Sequence, residues 1–185
     1  PARSIGGPAV RNMGTVGGNL FAPSPYGDFT VALLALDATV AVQGGFGARD
    51  IPIEEFLQAR DRQAGTLVLS ISCIRPASAE AFRYRKIARI KPKGGSVITL
   101  AAHLPISGGR IAGARIALGS MAPTQIRARA AERALEGRSL DSATIAAAAS
   151  AATEGTSPSD NALGSAWYRR EIVGVHLRRL LSGQE

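Results

Sequence analysis

The residues with the clearest potential for chemistry lie near the start of the chain, where two adjacent glycines stand between polar side chains. Thr15, Val16, Gly17, Gly18 and Asn19 form this segment. Adjacent glycines let a backbone approach a ligand without a Cβ clash, and successive N–H groups in such a turn form a concavity that binds phosphate. Because Thr15 and Asn19 add hydrogen-bonding groups at the two ends, the pattern predicts a phosphate-binding loop.

A carboxylate further along extends this interpretation to a nucleotide. Asp28 follows the Ser24-Pro25 turn, and a carboxylate placed after such a loop is a candidate acceptor for ribose hydroxyls. The loop alone is weak support, since a Gly-Gly pair is also an ordinary turn. The sequence contains neither of the common nucleotide signatures, GxGxxG and GxxxxGKS/T.

The composition limits the other chemistry that the chain can perform. It has 185 residues, 45% hydrophobic and 19% charged, with a formal net charge of +8. These values are typical of a globular protein. Its single cysteine, Cys73, can form neither an internal disulfide nor an iron–sulfur cluster nor a cysteine zinc site. With two histidines and no nucleophile–base–acid set, we expect no metal site and no catalytic side chain.

The apolar runs are short, and 31–36 and 145–149 are examples. A bilayer span needs roughly 20 apolar residues, and no secretory leader pattern is present. We therefore expect a cytoplasmic protein without a membrane span.

Hydrophobic patterning and turn residues predict the elements around the loop. Residues 1–25 are rich in Gly and Pro and are interpreted as an ordered loop. The following elements are predicted to be a buried helix at 29–37, a β-hairpin at 39–43 and 48–53 about the 44–47 turn, helical turns at 53–59 and a strand at 66–74. The break at Pro76 is predicted to separate a domain of residues 1–76 from one of residues 77–185.

The second domain is predicted to combine a small sheet with helices. Three strands in an antiparallel meander are expected at 81–90, 96–106 and 110–118. Three helices are expected at 124–136, 141–153 and 166–181, the last with Ser165 as its N-cap. The predicted fold class is therefore α+β.

The loop and three later segments resemble one protein family, in the correct order. The stretch from Arg11 to Asn19, followed by Ser24-Pro25 and Asp28, resembles the second flavin-binding motif of the FAD-binding medium subunits of molybdenum hydroxylases. This is the carbon monoxide dehydrogenase and xanthine dehydrogenase family. The later segments are 32–38, 84–86 and 164–170, so the likeness covers essentially the whole chain. It implies the C-terminal part of a PCMH-type FAD-binding domain, followed by a small antiparallel sheet packed with three helices.

The resemblance also implies roles for individual residues. Thr15 to Asn19 would wrap the FAD diphosphate and approach the flavin, and Asp28 would bond the ADP portion. Val68 matches an apolar residue that lines the isoalloxazine ring. Lys86 matches a lysine near that ring in the xanthine dehydrogenase branch.

Family members work in complexes, and the resemblance implies the same for this chain. A substrate is oxidised at a molybdopterin centre in a large subunit, electrons cross 2Fe–2S clusters in a small subunit, and FAD passes them to an acceptor. We expect both subunits as partners, in a dimer of heterotrimers. The sequence has no counterpart of the family's first Gly-rich loop, so either the sequence is a fragment or a separate polypeptide supplies that lobe. We therefore expect the 185 residues alone to bind FAD poorly.

A run of cations favours a second hypothesis, from a different functional class. Between positions 75 and 93 the cationic residues are Arg75, Arg83, Arg85, Lys86, Arg89, Lys91 and Lys93, with Glu80 as the only carboxylate. Phe82 and Tyr84 are interleaved with them, a pattern also seen in nucleic-acid-binding proteins. No nucleic-acid motif accompanies the run, so a basic nucleic-acid-binding or scaffolding module without a cofactor is the alternative.

Overall fold

The computed structural model describes residues 1–24, 26–45, 47–62, 65–90 and 94–184. Some predictions involve other positions: Pro25 of the Ser24-Pro25 turn, Phe46 of the hairpin turn, and Lys91 and Lys93 of the cationic run lie outside the described residues. Among the helices of the described ranges, none combines the length and the hydropathy that a membrane span requires.

Helices and antiparallel sheets are mixed along the chain, which confirms the predicted α+β class. In the described residues the α-helices are α1 (Pro8–Met13), α2 (Val16–Leu20), α3 (Asp28–Ala35), α4 (Ile53–Gln58), α5 (Arg129–Leu135), α6 (Ser142–Ser150) and α7 (Ala166–Leu181). The strands are β1 (Thr39–Gly44), β2 (Gly47–Pro52), β3 (Leu67–Ser72), β4 (Phe82–Ala88), β5 (Ser96–His103), β6 (Ile106–Ser107), β7 (Arg110–Ile111), β8 (Arg115–Gly119) and β9 (Ile126–Arg127). Turns of 3-10 helix lie at Ala2–Ser4, Arg60–Arg62 and Ala151–Thr153.

The first sheet has the strand order β2-β1-β3, and both of its strand pairs are antiparallel. The β1–β2 hairpin, α4 and β3 lie where the sequence patterns predicted them. Helix α3 is buried along almost its whole length, and it shares a hydrophobic core with Leu20, Val40 and Phe56. Removing each such side chain from water contributes roughly 1.5–3 kcal/mol, so this core fixes α3 against the first sheet.

The second sheet has the strand order β4-β5-β8-β9 and is also antiparallel. The expectation of three strands was wrong, because the predicted strand at 110–118 is divided. Gly113, with a φ of 81°, turns the chain there. As a result, β7 pairs with β6 in a separate ribbon and β8 pairs with β5. The short strand β9 occupies part of the predicted 124–136 helix, and α5 begins only at Arg129.

Strand β5 is buried at every position because both faces of the second sheet are covered. On one face, Leu100 belongs to a core that includes Val173 of α7. On the other face, Ala101 packs with the core around α3. The approach of α3 is so close that a Cβ on Gly119 would lie 2.8 Å from Val31 Cγ2. Helix α3 therefore contacts both sheets.

The first 24 residues are more regular than the loop that their Gly and Pro content predicted. They contain a 3-10 turn, α1 and α2. Pro8 is the first residue of α1, a position where its missing N–H is not needed and its fixed φ suits the helix. Thr15 caps α2. Proline at a helix start and a threonine cap therefore favour helix in a segment whose composition favours loop.

The C-terminal helices agree better with the prediction. Helix α6 and the 3-10 turn that follows it cover most of 141–153, and α7 spans 166–181 as expected. Ser165 is the N-cap of α7, and its hydroxyl accepts a hydrogen bond from the Tyr168 amide at 3.1 Å. Between β3 and β4, residues 73–81 form no helix or strand.

We expect the buried His103 at the end of β5 to make the stability of the fold depend on pH. The residue is 5% exposed, and burial, followed by the charge of Arg115, lowers its pKa below 6.5. The unfolded chain therefore binds the proton more readily, so the free energy of unfolding falls as the pH decreases below the unfolded pKa. We expect His103→Phe to reduce this slope in urea titrations between about pH 5 and pH 7. An unchanged slope would contradict the assignment to His103.

Candidate cofactor-binding groove

Thr15 begins α2 as its N-cap residue. Its Oγ1 accepts a hydrogen bond from the Gly18 amide at 2.9 Å, and Thr15 and Val16 are exposed. The first amides of a helix have no acceptor within the helix. In the part of the chain that the structure describes, the amides of Val16 and Gly17 donate to no protein group. The turn therefore presents open N–H donors at the surface.

The two glycines of the motif do not adopt the unusual backbone conformation that the sequence suggested, and their role is to leave space around the turn. Neither has a positive φ, since both lie within the helical turn. A Cβ on Gly18 would lie 3.0 Å from Thr15 Oγ1, closer than ordinary contact. A Cβ on Gly17 would lie 3.6 Å from Val68, which is an ordinary contact distance. The capped turn therefore depends on Gly18 more than on Gly17.

Asn19 joins α2 to α3 through Thr30. Its side-chain Oδ1 accepts hydrogen bonds from the amide and the hydroxyl of Thr30, each at 3.1 Å. The same hydroxyl also lies 3.1 Å from the Asn19 carbonyl oxygen, so its single hydrogen is shared between the two oxygens. Thr30 is completely buried. It was not among the predicted site residues, because nothing in its local sequence indicates that it meets the loop.

A groove of about 430 Å³ opens beside the capped turn. Most of the motif lines it, since Thr15, Val16, Gly18 and Asn19 are among its walls. The remaining lining residues are Ala2, Ile5, Val10, Arg11, Gly14, Ala22 and Phe29. Cofactor sites typically have volumes of roughly 300–1,000 Å³ and mostly apolar walls with a few polar groups. The groove has both properties.

Arg11 supplies a cation at this groove. Its Nη1 donates to the carbonyls of Ile5 and Gly6 at 3.1 and 2.7 Å, so the guanidinium is held beside the groove wall. The sequence placed Arg11 within the motif without assigning it a role. Its position next to a loop predicted to bind an anion is the signal that could have identified Arg11 as a site residue.

Asp28 lies outside the groove lining, in a buried cluster between α3 and the second sheet. Its Oδ1 accepts hydrogen bonds from the hydroxyls of Ser96 and Thr99, both at 2.5 Å. Its Oδ2 lies 2.9 Å from Lys86 Nζ, and both side chains of this ion pair are 9% exposed. Both carboxylate oxygens thus have partners within the protein, and the contact between Asp28 and the ADP portion stays a prediction.

Lys86 likewise lies outside the groove lining but is connected to the groove wall. Its Nζ donates to the Ser4 carbonyl at 3.0 Å in addition to its ion pair with Asp28. Ala2 and Ile5, before and after Ser4 in the chain, both line the groove. The structure thus links Lys86 and Asp28 to the groove through the backbone of the N-terminal segment.

Val68 is half-buried in β3, where it pairs with Val42. It approaches α2 at Gly17 and is absent from the residues that line the described groove. Its predicted contact with an isoalloxazine ring stays a prediction.

Several residues of the cationic run form hydrogen bonds within the fold. Arg83 donates to the Leu180 carbonyl at 3.1 Å, and Arg85 donates to the Gln184 carbonyl at 2.6 Å. Leu180 lies in the last turn of α7, where a cation compensates the helix dipole, and Gln184 follows the end of that helix. Since Lys86 is paired with Asp28, this part of the run is less available to phosphates than its sequence suggests.

Potential metal ligands are scattered. Within the described ranges, no three His, Cys, Asp or Glu side chains come together in a way that could hold a metal ion. Cys73 is exposed as a free thiol.

Two family models match the sequence over most of its length. The FAD binding domain in molybdopterin dehydrogenase matches residues 1–73. The CO dehydrogenase flavoprotein C-terminal domain matches residues 83–183.

Individual proteins with known names match nearly the whole chain. It is 33% identical over 180 residues to the carbon monoxide dehydrogenase medium chain of Afipia carboxidovorans, covering 95% of this chain and 62% of the relative. It is 30% identical over 176 residues to the glyceraldehyde dehydrogenase medium chain of Sulfolobus acidocaldarius, covering 94% and 62%. Among solved structures, reconstituted CO dehydrogenase from Oligotropha carboxidovorans matches with a TM-score of 0.87 and 30% identity, covering 97% of this chain and 64% of that chain. The chain thus spans less than two thirds of the length of these relatives.

Proposed function

Because this chain belongs to the family of FAD-binding medium subunits of the molybdenum hydroxylases, we propose that it binds FAD in the groove and transfers electrons within a molybdenum-containing hydroxylase or dehydrogenase. The observation that carries this proposal is the capped turn of α2, whose open amides lie beside a groove of about 430 Å³. A helix start of this kind favours phosphate groups, because its N–H donors are unpaired.

The residues present fit a dinucleotide. A Cβ at position 18 would crowd the Thr15 cap. Because Gly18 has no Cβ, the turn stays accessible to a ligand. Arg11 provides positive charge at the groove, complementary to a diphosphate. Ile5, Val10 and Phe29 provide apolar surface for the remainder of the ligand.

The cofactor that we assign to each subunit follows from the residues that this chain contains. Bound FAD supplies the redox chemistry, while the protein supplies orientation and electrostatics. A single cysteine cannot ligate an iron–sulfur cluster. We therefore assign the 2Fe–2S clusters to a small partner subunit and substrate oxidation at molybdopterin to a large one. In this scheme the chain receives electrons from the clusters and passes them to an external acceptor.

The proposed function is tested by a substitution that closes the turn. In the native complex, Gly18→Val is expected to weaken FAD binding by roughly 30- to 100-fold, because its side chain displaces the Thr15 cap and enters the groove. The measurement is a titration of the flavin-depleted complex with FAD, followed by flavin absorbance near about 450 nm. Gly45→Val is the matched control, since a Cβ at Gly45 meets nothing within 4 Å. Equal FAD affinity in the two variants would contradict binding at this turn.

The same spectrum separates the proposal from the basic module without a cofactor. That alternative requires a native complex with no flavin band and a cationic run that is free to bind nucleic acid. The hydrogen bonds of Arg83 to α7 and of Arg85 to the segment after it engage two of these cations within the fold, which favours the flavin proposal.

A further inference from the structure

We infer that Thr30 is a positioning residue for FAD, acting through the side chain of Asn19. This inference rests on the proposed function, because it concerns the same groove. Thr30 itself is completely buried and is not part of the groove lining. Its effect on a ligand must therefore pass through a neighbour, and Asn19, whose side chain is hydrogen-bonded to Thr30, lines the groove.

The hydrogen bonds to Thr30 determine which end of the Asn19 amide faces its neighbour. The Thr30 backbone N–H can only donate, so the atom 3.1 Å from it must be the carboxamide oxygen rather than the nitrogen. The Thr30 hydroxyl donates to the same oxygen at 3.1 Å. The backbone amide of Thr30 therefore holds Oδ1, assisted by the hydroxyl, whose one hydrogen is shared between Oδ1 and the Asn19 carbonyl oxygen. A flipped carboxamide would place N–H against N–H.

The opposite end of the carboxamide is left for a ligand. With Oδ1 occupied, Nδ2 carries two N–H donors, and in the described residues it donates to no protein acceptor. Asn19 lines the groove next to the open turn of Thr15 and Val16. We therefore assign Nδ2 as a donor to FAD, with Thr30 fixing its direction before the ligand arrives. Groups held in place before binding lose less entropy when the ligand binds.

Thr30 is itself held firmly, as a positioning role requires. It lies in the first turn of α3, two residues after Asp28, which is bound by Lys86, Ser96 and Thr99 of the second sheet. These contacts and the packing of α3 on the sheet leave Thr30 little freedom to follow a displaced loop. The packing of α3 on the second sheet therefore fixes the orientation of the Asn19 side chain through Thr30.

The test compares three substitutions in the native complex, each depleted of flavin and titrated with FAD. Asn19→Ala is expected to weaken FAD binding about tenfold, and Thr30→Val about fivefold, because Thr30→Val retains the backbone donor but loses the hydroxyl. Thr30→Ser keeps both donors and should stay within about twofold of the wild type. Thr156→Val is the matched control, since the Thr156 hydroxyl donates only to the Thr153 carbonyl, far from the groove in sequence.

A double variant separates positioning from a general loss of stability. If Thr30 acts through Asn19, Thr30→Val should change FAD affinity by less than about twofold when Asn19 is already alanine. A fivefold loss in both backgrounds, or unchanged affinity in Asn19→Ala, would overturn the inference while leaving FAD binding intact. A wild-type complex that shows no flavin band and takes up no FAD would instead overturn the proposed function. Urea unfolding of each flavin-depleted variant measures the free energy of unfolding, which would fall if the role of Thr30 were purely structural.

Discussion

Replacing Lys86 by methionine is expected to lower the free energy of unfolding by about 3–5 kcal/mol. The ion pair between Lys86 and Asp28 has a length of 2.9 Å, and both side chains are 9% exposed. Without the ammonium group, the Asp28 carboxylate stays buried, and the donors that remain to it among the described residues are the hydroxyls of Ser96 and Thr99. The Ser4 carbonyl also loses its donor. Urea denaturation of the variant and the wild type at the same pH measures the loss.

The matched control is an ion pair that water surrounds. Arg133 and Glu154 lie 3.2 Å apart, but their side chains are 68% and 67% exposed, so Arg133→Met should change stability by less than about 1 kcal/mol. A second variant, Lys86→Met with Asp28→Asn, should recover part of the stability lost in Lys86→Met, because it also removes the uncompensated charge. Losses of similar size in Lys86→Met and Arg133→Met, or no recovery in the double variant, would show that the buried pair contributes little.

This ion pair is a feature of the candidate site that the sequence did not predict. Asp28 and Lys86 were each assigned a contact with the cofactor, from a resemblance that treats positions one at a time. In the structure they form an ion pair with each other, and their contacts with a cofactor stay predictions. Such pairing depends on how α3 packs on the second sheet, and no local pattern encodes it. For the same reason, the sequence did not indicate that Thr30 would meet Asn19.

The elements themselves were predicted well where local chemistry is strong. The apolar run that became α3, the hairpin around β1 and β2, and the Ser165 cap of α7 each have signals within a few residues. Failures occurred where two local signals compete. The Gly and Pro residues of the first 24 positions predicted loop, although Pro8 and Thr15 are good helix-start residues. The strand predicted at 110–118 has a continuous β-like pattern, but Gly113 interrupts it.

The second large effect is expected at Arg169, where substitution by methionine should lower the free energy of unfolding by about 3–4 kcal/mol. The side chain is completely buried. Its guanidinium donates to the carbonyls of Val97 and Gly164 at 2.9 and 2.7 Å, to the Ser159 carbonyl, and to Asn161 Oδ1 at 2.7 Å. These bonds tie the 159–164 segment to β5, and methionine removes all of them at roughly 1 kcal/mol each. Among the described residues, the Val97 and Ser159 carbonyls would be left without a donor, whereas the Gly164 carbonyl and Asn161 Oδ1 would still accept from the amides of Asn161 and Leu163. Urea denaturation measures the loss.

The neighbouring residue on α7 provides the comparison that isolates this effect. Arg170 is exposed and, among the described residues, forms no ion pair. Arg170→Met should therefore stay within about 0.5 kcal/mol of the wild type. Arg169→Lys should lose most of the stability that Arg169→Met loses, because an ammonium group cannot reach several acceptors with the planar fork of a guanidinium. If Arg169→Lys instead retained full stability, a buried positive charge alone would suffice and the four-way hydrogen bonding would not be the cause.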